Sequence, residues 1–117
     1  MGKILSEEEV AAYVSDGFHF PIPVMNKCQA RFFRTKLEDF EAKNDKNIRQ
    51  KIKTKMHLVL TWINDLVTLP TVLDSVEDVI GPDILCWNST FFIKEAHYPG
   101  HVTWHQDSTY WGMDSPD

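Results

Sequence analysis

The hydrophobic periodicity of the chain changes near residue 81, and this change constrains the fold more than any other feature of the sequence. Up to Ile80, apolar residues recur at helical spacing in several segments. From Ile84 to Lys94, successive side chains alternate with a period of two, in a segment rich in β-forming residues. Gly81-Pro82 separates the two regimes, because glycine and proline end helices. The sequence therefore predicts an α+β fold in which helices come first and a sheet follows.

Four helices are predicted in the first part of the chain. Ser6 and Glu9 have the spacing of a capping box, in which each side chain bonds the backbone of the other at the start of a helix. A proline in the first turn favours a start at Pro70 for the last helix. The four predicted segments are 7–16, 26 to about 43, 59–66 and 70–80.

Three further segments are predicted to be extended. Phe18–Val24 contains Pro21 and Pro23, which favour an edge or irregular strand. Ile84–Lys94 and His101–Asp107 are predicted strands, and Pro99-Gly100 is a predicted turn between them. We expect a single domain over residues 1–117, helical over 1–81 and starting a sheet over 82–117.

The composition limits the classes of protein to which the chain can belong. Its 117 residues are 43% hydrophobic, which is enough apolar surface to exclude a disordered chain. No apolar run approaches the roughly 20 residues of a transmembrane helix, and no secretory signal is visible. Cys28 and Cys86 are far apart and predict buried, reduced thiols rather than a disulfide framework. We therefore expect a cytoplasmic protein that does not bind a membrane.

Positive charge is concentrated in one segment. The formal net charge is −5, yet ten of the twelve basic residues lie within residues 27–55. The stretch Lys43–Lys55 could attract phosphates or an anionic partner, but such a run more often forms a solvated helix face or loop, and we favour that interpretation. Because the stretch has no interleaved aromatic residues and the whole chain is acidic, we expect no nucleic-acid partner.

Three histidines and an aspartate near the end of the sequence are candidate metal ligands. His97, His101 and His105 are spaced by four and would share a face on a helix, where they could hold zinc, but Pro99-Gly100 makes a continuous helix improbable. On a strand, His105 and Asp107 project to the same side. They could then give a nitrogen and an oxygen to one metal ion, and one further His would complete the facial triad of a non-haem Fe(II) oxygenase. An exposed polar strand end is the alternative interpretation.

Several segments together resemble the phytanoyl-CoA dioxygenase family. These are Gly81–Leu85, Phe92–Glu95 and Val102–Trp111 with its His-Gln-Asp core, and Asp16-Gly17-Phe18 after an amphipathic helix resembles the family's opening. Members of this family are Fe(II)- and 2-oxoglutarate-dependent oxygenases. The resemblance implies that the predicted strands are the first strands of a double-stranded β-helix, or jelly-roll, which is incomplete in this chain.

The resemblance also implies roles for individual residues. His105 and Asp107 match the first two iron ligands of the family. Lys94 and Phe91 lie on the strand that helps to line the 2-oxoglutarate pocket in relatives, and Trp111 falls where relatives place an aromatic residue near the substrate. The implied cofactors are Fe(II) and the cosubstrate 2-oxoglutarate, with ascorbate as a candidate accessory reductant. The implied partners are O₂ and a small-molecule substrate, which the sequence does not identify.

Two parts of the family's site have no counterpart here. The family uses a second His and an Arg that pairs with 2-oxoglutarate, both on later strands, whereas the ten residues after Asp107 contain neither type. We therefore expect an N-terminal portion of a hydroxylase with little or no turnover of its own. The alternative is a non-catalytic small α+β binding or assembly domain derived from that family. Because halogenating relatives lack the carboxylate ligand, Asp107 favours hydroxylation.

Overall fold

The computed structural model describes residues 2–44, 47–105, 107 and 110. This part of the chain contains five α-helices and one 3₁₀ turn, which lies between the third and fourth helices. The bounds in chain order are α1 Glu7–Asp16, α2 Lys27–Asn44, α3 Ile48–Lys51, the 3₁₀ turn Met56–Leu58, α4 Thr61–Val67 and α5 Pro70–Ile80. Within the same residues, no helix is both long and apolar enough to cross a membrane.

Helix α1 begins at the predicted capping box. The Glu9 backbone N–H donates to Ser6 Oγ at 3.2 Å, and the Ser6 N–H donates to Glu9 Oε2 at 2.8 Å. The pKa of Glu8 is lowered because its own backbone N–H and then the Ser6 hydroxyl stabilise its carboxylate. Gly17 ends the helix at φ 80°, where its N–H donates to the Tyr13 carbonyl at 2.8 Å. Both predicted ends of this helix are confirmed.

Helix α2 also begins at a side-chain cap. Asn26 Oδ1 accepts hydrogen bonds from the N–H groups of Cys28 and Gln29, both at 2.9 Å. In return, Gln29 Oε1 accepts from the Asn26 N–H at 3.0 Å. Because these bonds satisfy donors that have no partner inside the helix, they fix its first turn. The predicted helix over 26–43 is confirmed to within one residue at each end.

The third predicted helix starts two residues later and ends one residue later than expected, and the fourth is confirmed. Helix α4 begins at Thr61, and Val59 lies before it with 64% of its surface exposed. Helix α5 begins at Pro70 and ends at Ile80, as the proline and Gly81 indicate. The sequence did not predict α3 or the 3₁₀ turn, because each is too short to show a hydrophobic period.

A small core holds these short helices together. Ile48, Met56 and Ile63 are buried, at 0%, 0% and 2% exposure, and bring together α3, the 3₁₀ turn and α4. Partly buried apolar residues complete the cluster. They are Leu37, Phe40, Ile52, Leu60, Trp62, Val67 and Phe91.

The segment before α1 is fixed to the last helix. The Asp78 carboxylate accepts the backbone N–H groups of Lys3, Ile4 and Leu5 at 2.7, 2.7 and 2.8 Å. These bonds lower the pKa of Asp78, because they stabilise its charged form. Lys3 Nζ bonds Glu77 at 2.7 Å and Asp74 at 3.2 Å, and these carboxylates raise the pKa of Lys3. The acidic face of α5 is thereby tied to the start of the chain.

The predicted strands are wrong, and with them the predicted α+β class and the first jelly-roll strands. Over the described residues neither Ile84–Lys94 nor His101–Asp107 forms a strand, and Phe18–Val24 does not form one either. The alternating pattern favours β structure, but a strand exists only where a second strand completes a ladder of hydrogen bonds. The structure of the described residues is therefore helices followed by an irregular segment.

The irregular segment is held by the chain before α4 instead of by a strand. The Met56 N–H donates to the Ser89 carbonyl at 3.2 Å. Thr90 Oγ1 donates to the carbonyl of residue 53 at 2.9 Å, and the N–H of residue 55 donates to Asn88 Oδ1 at 2.8 Å. These contacts lay residues 88–90 along residues 53–57, and they direct the following residues over α3.

Candidate metal centre

His105 and Asp107 converge although the segment that carries them is not a strand. His105 Nε2 lies 3.2 Å from Asp107 Oδ1, and their side chains are 39% and 76% exposed. Two adjacent ligand atoms on an octahedral cation, each about 2.1 Å from it, are about 3.0 Å apart. The separation of the two atoms is therefore close to that of neighbouring ligands. An imidazole nitrogen with a carboxylate oxygen is also a donor set that suits Fe(II).

The other ring nitrogen of His105 is held by the backbone. His105 Nδ1 lies 2.7 Å from the Thr103 carbonyl oxygen. A carbonyl only accepts hydrogen bonds, so Nδ1 carries the proton. The 3.2 Å contact of Nε2 with Asp107 is an ion pair when the ring is protonated, whereas the neutral ring leaves a lone pair on Nε2 that a metal ion could take in place of that proton. Such a bond from the second nitrogen is the usual way in which a protein orients a ligating histidine. The ring is also flanked by Tyr110, edge to face at 6.0 Å between centroids.

The regular spacing of the histidines does not gather them into a larger cluster. Within the described ranges, no three His, Cys, Asp or Glu side chains form a group that could hold a metal ion. His97 has a φ of 65° and lies in a turn in which the Tyr98 N–H donates to the Glu95 carbonyl at 3.2 Å. This turn does not continue as a helix towards His101. The zinc interpretation of His97, His101 and His105 therefore has no support in this part of the chain.

Lys94 lines a cavity of about 260 Å³ beside α3. Arg49, Phe92 and His101 contribute to the same wall, so two cations face this space. A cavity with cationic walls suits the carboxylates of 2-oxoglutarate. The role of Lys94 in binding that cosubstrate stays a prediction.

Phe91 points elsewhere. It is half-buried against Ile48, Met56 and Ile63, and its ring centroid lies 6.1 Å from that of Trp62. In this position it fastens the irregular segment to the helical core. Trp111, the predicted substrate contact, lies outside the described residues.

Arg49 is a candidate site residue that sequence reasoning missed. Its guanidinium lies over the ring of Phe92, with Cζ 4.7 Å from the ring centroid. It lines both the Lys94 cavity and a larger neighbouring cavity of about 680 Å³. The available signal was the basic stretch Lys43–Lys55, which we interpreted as a solvated surface.

A comparison with protein families gives one match. The family model described as phytanoyl-CoA dioxygenase matches residues 2–117, nearly the whole chain. No curated protein and no solved structure matches the chain. The match agrees with the resemblance carried by Gly81–Leu85 and Val102–Trp111, and it includes the His105 and Asp107 pair.

Proposed function

Because the chain belongs to the phytanoyl-CoA dioxygenase family, a family of oxygenases, we propose that it contributes two iron ligands to an Fe(II)- and 2-oxoglutarate-dependent hydroxylase of a small molecule. The observation that supports this most directly is the approach of His105 Nε2 to Asp107 Oδ1 at 3.2 Å. A nitrogen and an oxygen at ligand spacing, at the positions where the family carries its first two ligands, fit the metal that the family uses.

The residues of this chain hold and orient the reactants. Iron held here would supply the oxidative chemistry, in which one atom of O₂ enters the substrate C–H bond as a hydroxyl and the other enters succinate as 2-oxoglutarate loses CO₂. His105 would give Nε2 to the metal, and the Thr103 carbonyl, which accepts a hydrogen bond from Nδ1, would hold the ring in the tautomer that this requires. In this proposal Lys94 would attract a carboxylate of 2-oxoglutarate, Trp111 is assigned to substrate binding by its sequence position alone, and ascorbate would serve as accessory reductant.

Asp107 favours hydroxylation over halogenation. A carboxylate in this place occupies the coordination position that a halide would need. Substitution of Asp107 by Ala or Gly would open that position, but it would also remove one of the two protein donors. We therefore assign hydroxylation to the native residue.

We also propose that the 117-residue chain by itself has little turnover. Two protein donors hold iron weakly, and Fe(II) is low in the general affinity order of divalent metals. With Fe(II), 2-oxoglutarate and O₂ present, we expect succinate at the level of the protein-free control. Succinate above that level, lost on His105→Ala, would show that the chain is catalytically competent alone.

Iron retention tests the proposed metal site separately from turnover. In anaerobic equilibrium dialysis against Fe(II), we expect the chain to retain iron, and 2-oxoglutarate to increase retention because it offers further oxygen donors. His105→Ala and Asp107→Ala should each lower retention to background. His97→Asn is the matched control, since this exposed histidine belongs neither to the pair nor to the Lys94 cavity and asparagine tolerates its φ of 65°. Retention that survives both ligand substitutions, or that falls equally in the control, would refute the assignment.

A further inference from the structure

A second site lies on the other side of Arg49, in the larger cavity. This cleft, of about 680 Å³, is open between residues 47–54 on one wall and residues 93–98 on the other. Its size is within the range of small-molecule sites in proteins, about 300–1,000 Å³. The first wall is polar and basic, with Arg49, Lys53, Gln50 and Thr54.

Positive charge in the cleft is not neutralised by neighbouring acids. Arg49 and Lys53 make no ion pair with any carboxylate in the part of the chain that the structure describes. Glu95 also lines the cleft, but no ion pair joins it to either cation. Among the described residues that line the cleft, two cations therefore face one carboxylate, in a chain whose formal net charge is −5. Such a local excess of positive charge concentrates anions.

The guanidinium of Arg49 is held in place before any ligand arrives. It lies over the ring of Phe92, with Cζ 4.7 Å from the centroid, and this contact restricts its motion. Arginine presents a rigid fork of donors that matches the paired oxygens of a phosphate or carboxylate. Restricting this fork lowers the entropy cost of binding an oxyanion.

The opposite wall carries apolar surface beside Glu95. This surface is formed by Ile93, which is 40% exposed, and by the ring of Tyr98, which is 62% exposed. Tyr98 lies so close to Gly100 that a Cβ added there would overlap the ring, so the glycine is needed for this placement. A ligand in the cleft would meet donors on one side and hydrocarbon on the other.

We propose that the cleft between residues 47–54 and 93–98 binds a small organic oxyanion, with its phosphate or carboxylate on Arg49 and Lys53 and its apolar part against Ile93 and Tyr98. The cations favour the anionic group, and the limited volume favours a small molecule. This site does not include His105 or Asp107, but it shares Arg49, Ile93 and Tyr98 with the Lys94 cavity. Gln50, Lys53 and Thr54 line the cleft and not that cavity, so their responses distinguish the two.

An NMR titration of the full chain tests the proposal. Inorganic phosphate and 2-oxoglutarate are added in separate experiments at constant ionic strength, because salt screens exposed charges. With at least one of the two anions, we expect saturable shifts of the backbone amides of Arg49, Gln50, Lys53 and Thr54. Saturation by phosphate alone would assign a phosphate ester, and saturation by both would assign oxyanions generally. Shifts that are linear in concentration, or spread evenly over all basic residues, would overturn the proposal.

Substitutions with opposite expected effects on the affinity for the anion make the test specific. Arg49→Gln and Lys53→Gln should each weaken binding about tenfold, in keeping with the loss of a charged hydrogen bond. Glu95→Gln should instead strengthen binding, because it removes the carboxylate that lies among the described residues of the cleft and repels the ligand. Arg34→Gln on α2 is the matched control, since it removes the same charge from an exposed arginine outside the cleft. Equal weakening by Arg34→Gln, or weaker binding by Glu95→Gln, would refute the site.

Two further variants separate this proposal from the proposed iron site and from a site that needs only positive charge. His105→Ala should leave the anion titration unchanged while it abolishes iron retention, so the two sites can fail independently. Arg49→Lys keeps the charge but loses the fork, and it should recover only part of the affinity lost in Arg49→Gln. Full recovery by lysine together with no effect of Lys53→Gln would contradict the proposed geometry.

Discussion

The substitution Met56→Ala should lower the free energy of unfolding of this chain by a large fraction. The Met56 side chain is completely buried, and among the described residues its core cluster has two other buried members, Ile48 and Ile63. Large-to-Ala changes in cores cost about 2–5 kcal/mol, from lost transfer energy and from the cavity left behind. Small domains have a total stability of about 5–15 kcal/mol. We expect a loss of about 3 kcal/mol and a fall in Tm of roughly 10–20 °C.

Leu58→Ala is the matched control for this prediction. Leu58 lies in the same 3₁₀ turn two residues later, but 72% of its surface is exposed. Its truncation should change stability by less than about 0.5 kcal/mol. The measurement is equilibrium urea unfolding followed by circular dichroism, with the change in midpoint evaluated at constant m. Similar losses in the two variants, or a loss below about 1 kcal/mol for Met56→Ala, would show that this cluster is not the core of the fold.

Three further predictions concern the start of the chain. Ser6→Ala should lower the free energy of unfolding by about 1 kcal/mol through loss of the cap, whereas Ser15→Ala in the last turn of α1 should have little effect, and thermal unfolding of both variants measures the difference. The pKa of Asp78 is lowered from 3.8, so its contribution to the free energy of unfolding is complete above pH 3.8 and is lost as the pH falls through the lower pKa of the folded state. Asp78→Asn should therefore make Tm less sensitive to acid. An unchanged dependence of Tm on acid pH would refute this. The pKa of Lys3 is raised from 10.5, so its contribution to the free energy of unfolding is complete below pH 10.5 and is lost as the pH rises through the pKa of the folded state. Lys3→Gln should lower Tm at neutral pH and reduce the decline of Tm at alkaline pH. Identical alkaline profiles would contradict the pairing of Lys3 with Glu77 and Asp74.

The helix ends could be predicted because their causes are local. Ser6 and Glu9 are three residues apart, and Asn26 and Gln29 have the same spacing, so each cap is complete within one turn. The proline at the start of α5 acts through its own ring and its missing N–H. No distant part of the chain is needed for any of these effects.

The predicted strands failed because a sheet depends on residues far apart in sequence. Alternation over Ile84–Lys94 is a local property, but a ladder requires a second strand in register. In the described residues the available partner was the turn around Met56, and its bond to Ser89 does not continue into a ladder. The sequence pattern contained no indication of this partner.

The candidate site residues differ in the same way, because some depend on local sequence and others on contacts with distant parts of the chain. The His105 and Asp107 side chains are two residues apart, so their approach could be predicted even though the strand that motivated it is absent. Arg49 could not be assigned, because its role depends on the later segment with Phe92 and Ile93 lying over α3. A basic run has the same sequence whether it faces open solvent or lines a cleft.

The central claim, that His105 and Asp107 form a metal site, is tested most directly by paramagnetic broadening of assigned NMR signals. Mn²⁺ is a suitable probe, because it binds nitrogen and oxygen ligands and lies next to Fe²⁺ in the affinity order. At substoichiometric Mn²⁺ we predict broadening centred on the signals of Thr103 and His105, and its loss in His105→Ala. Broadening centred instead on the acidic face of α5, at Asp74 and Glu77, and unchanged in His105→Ala, would contradict the account.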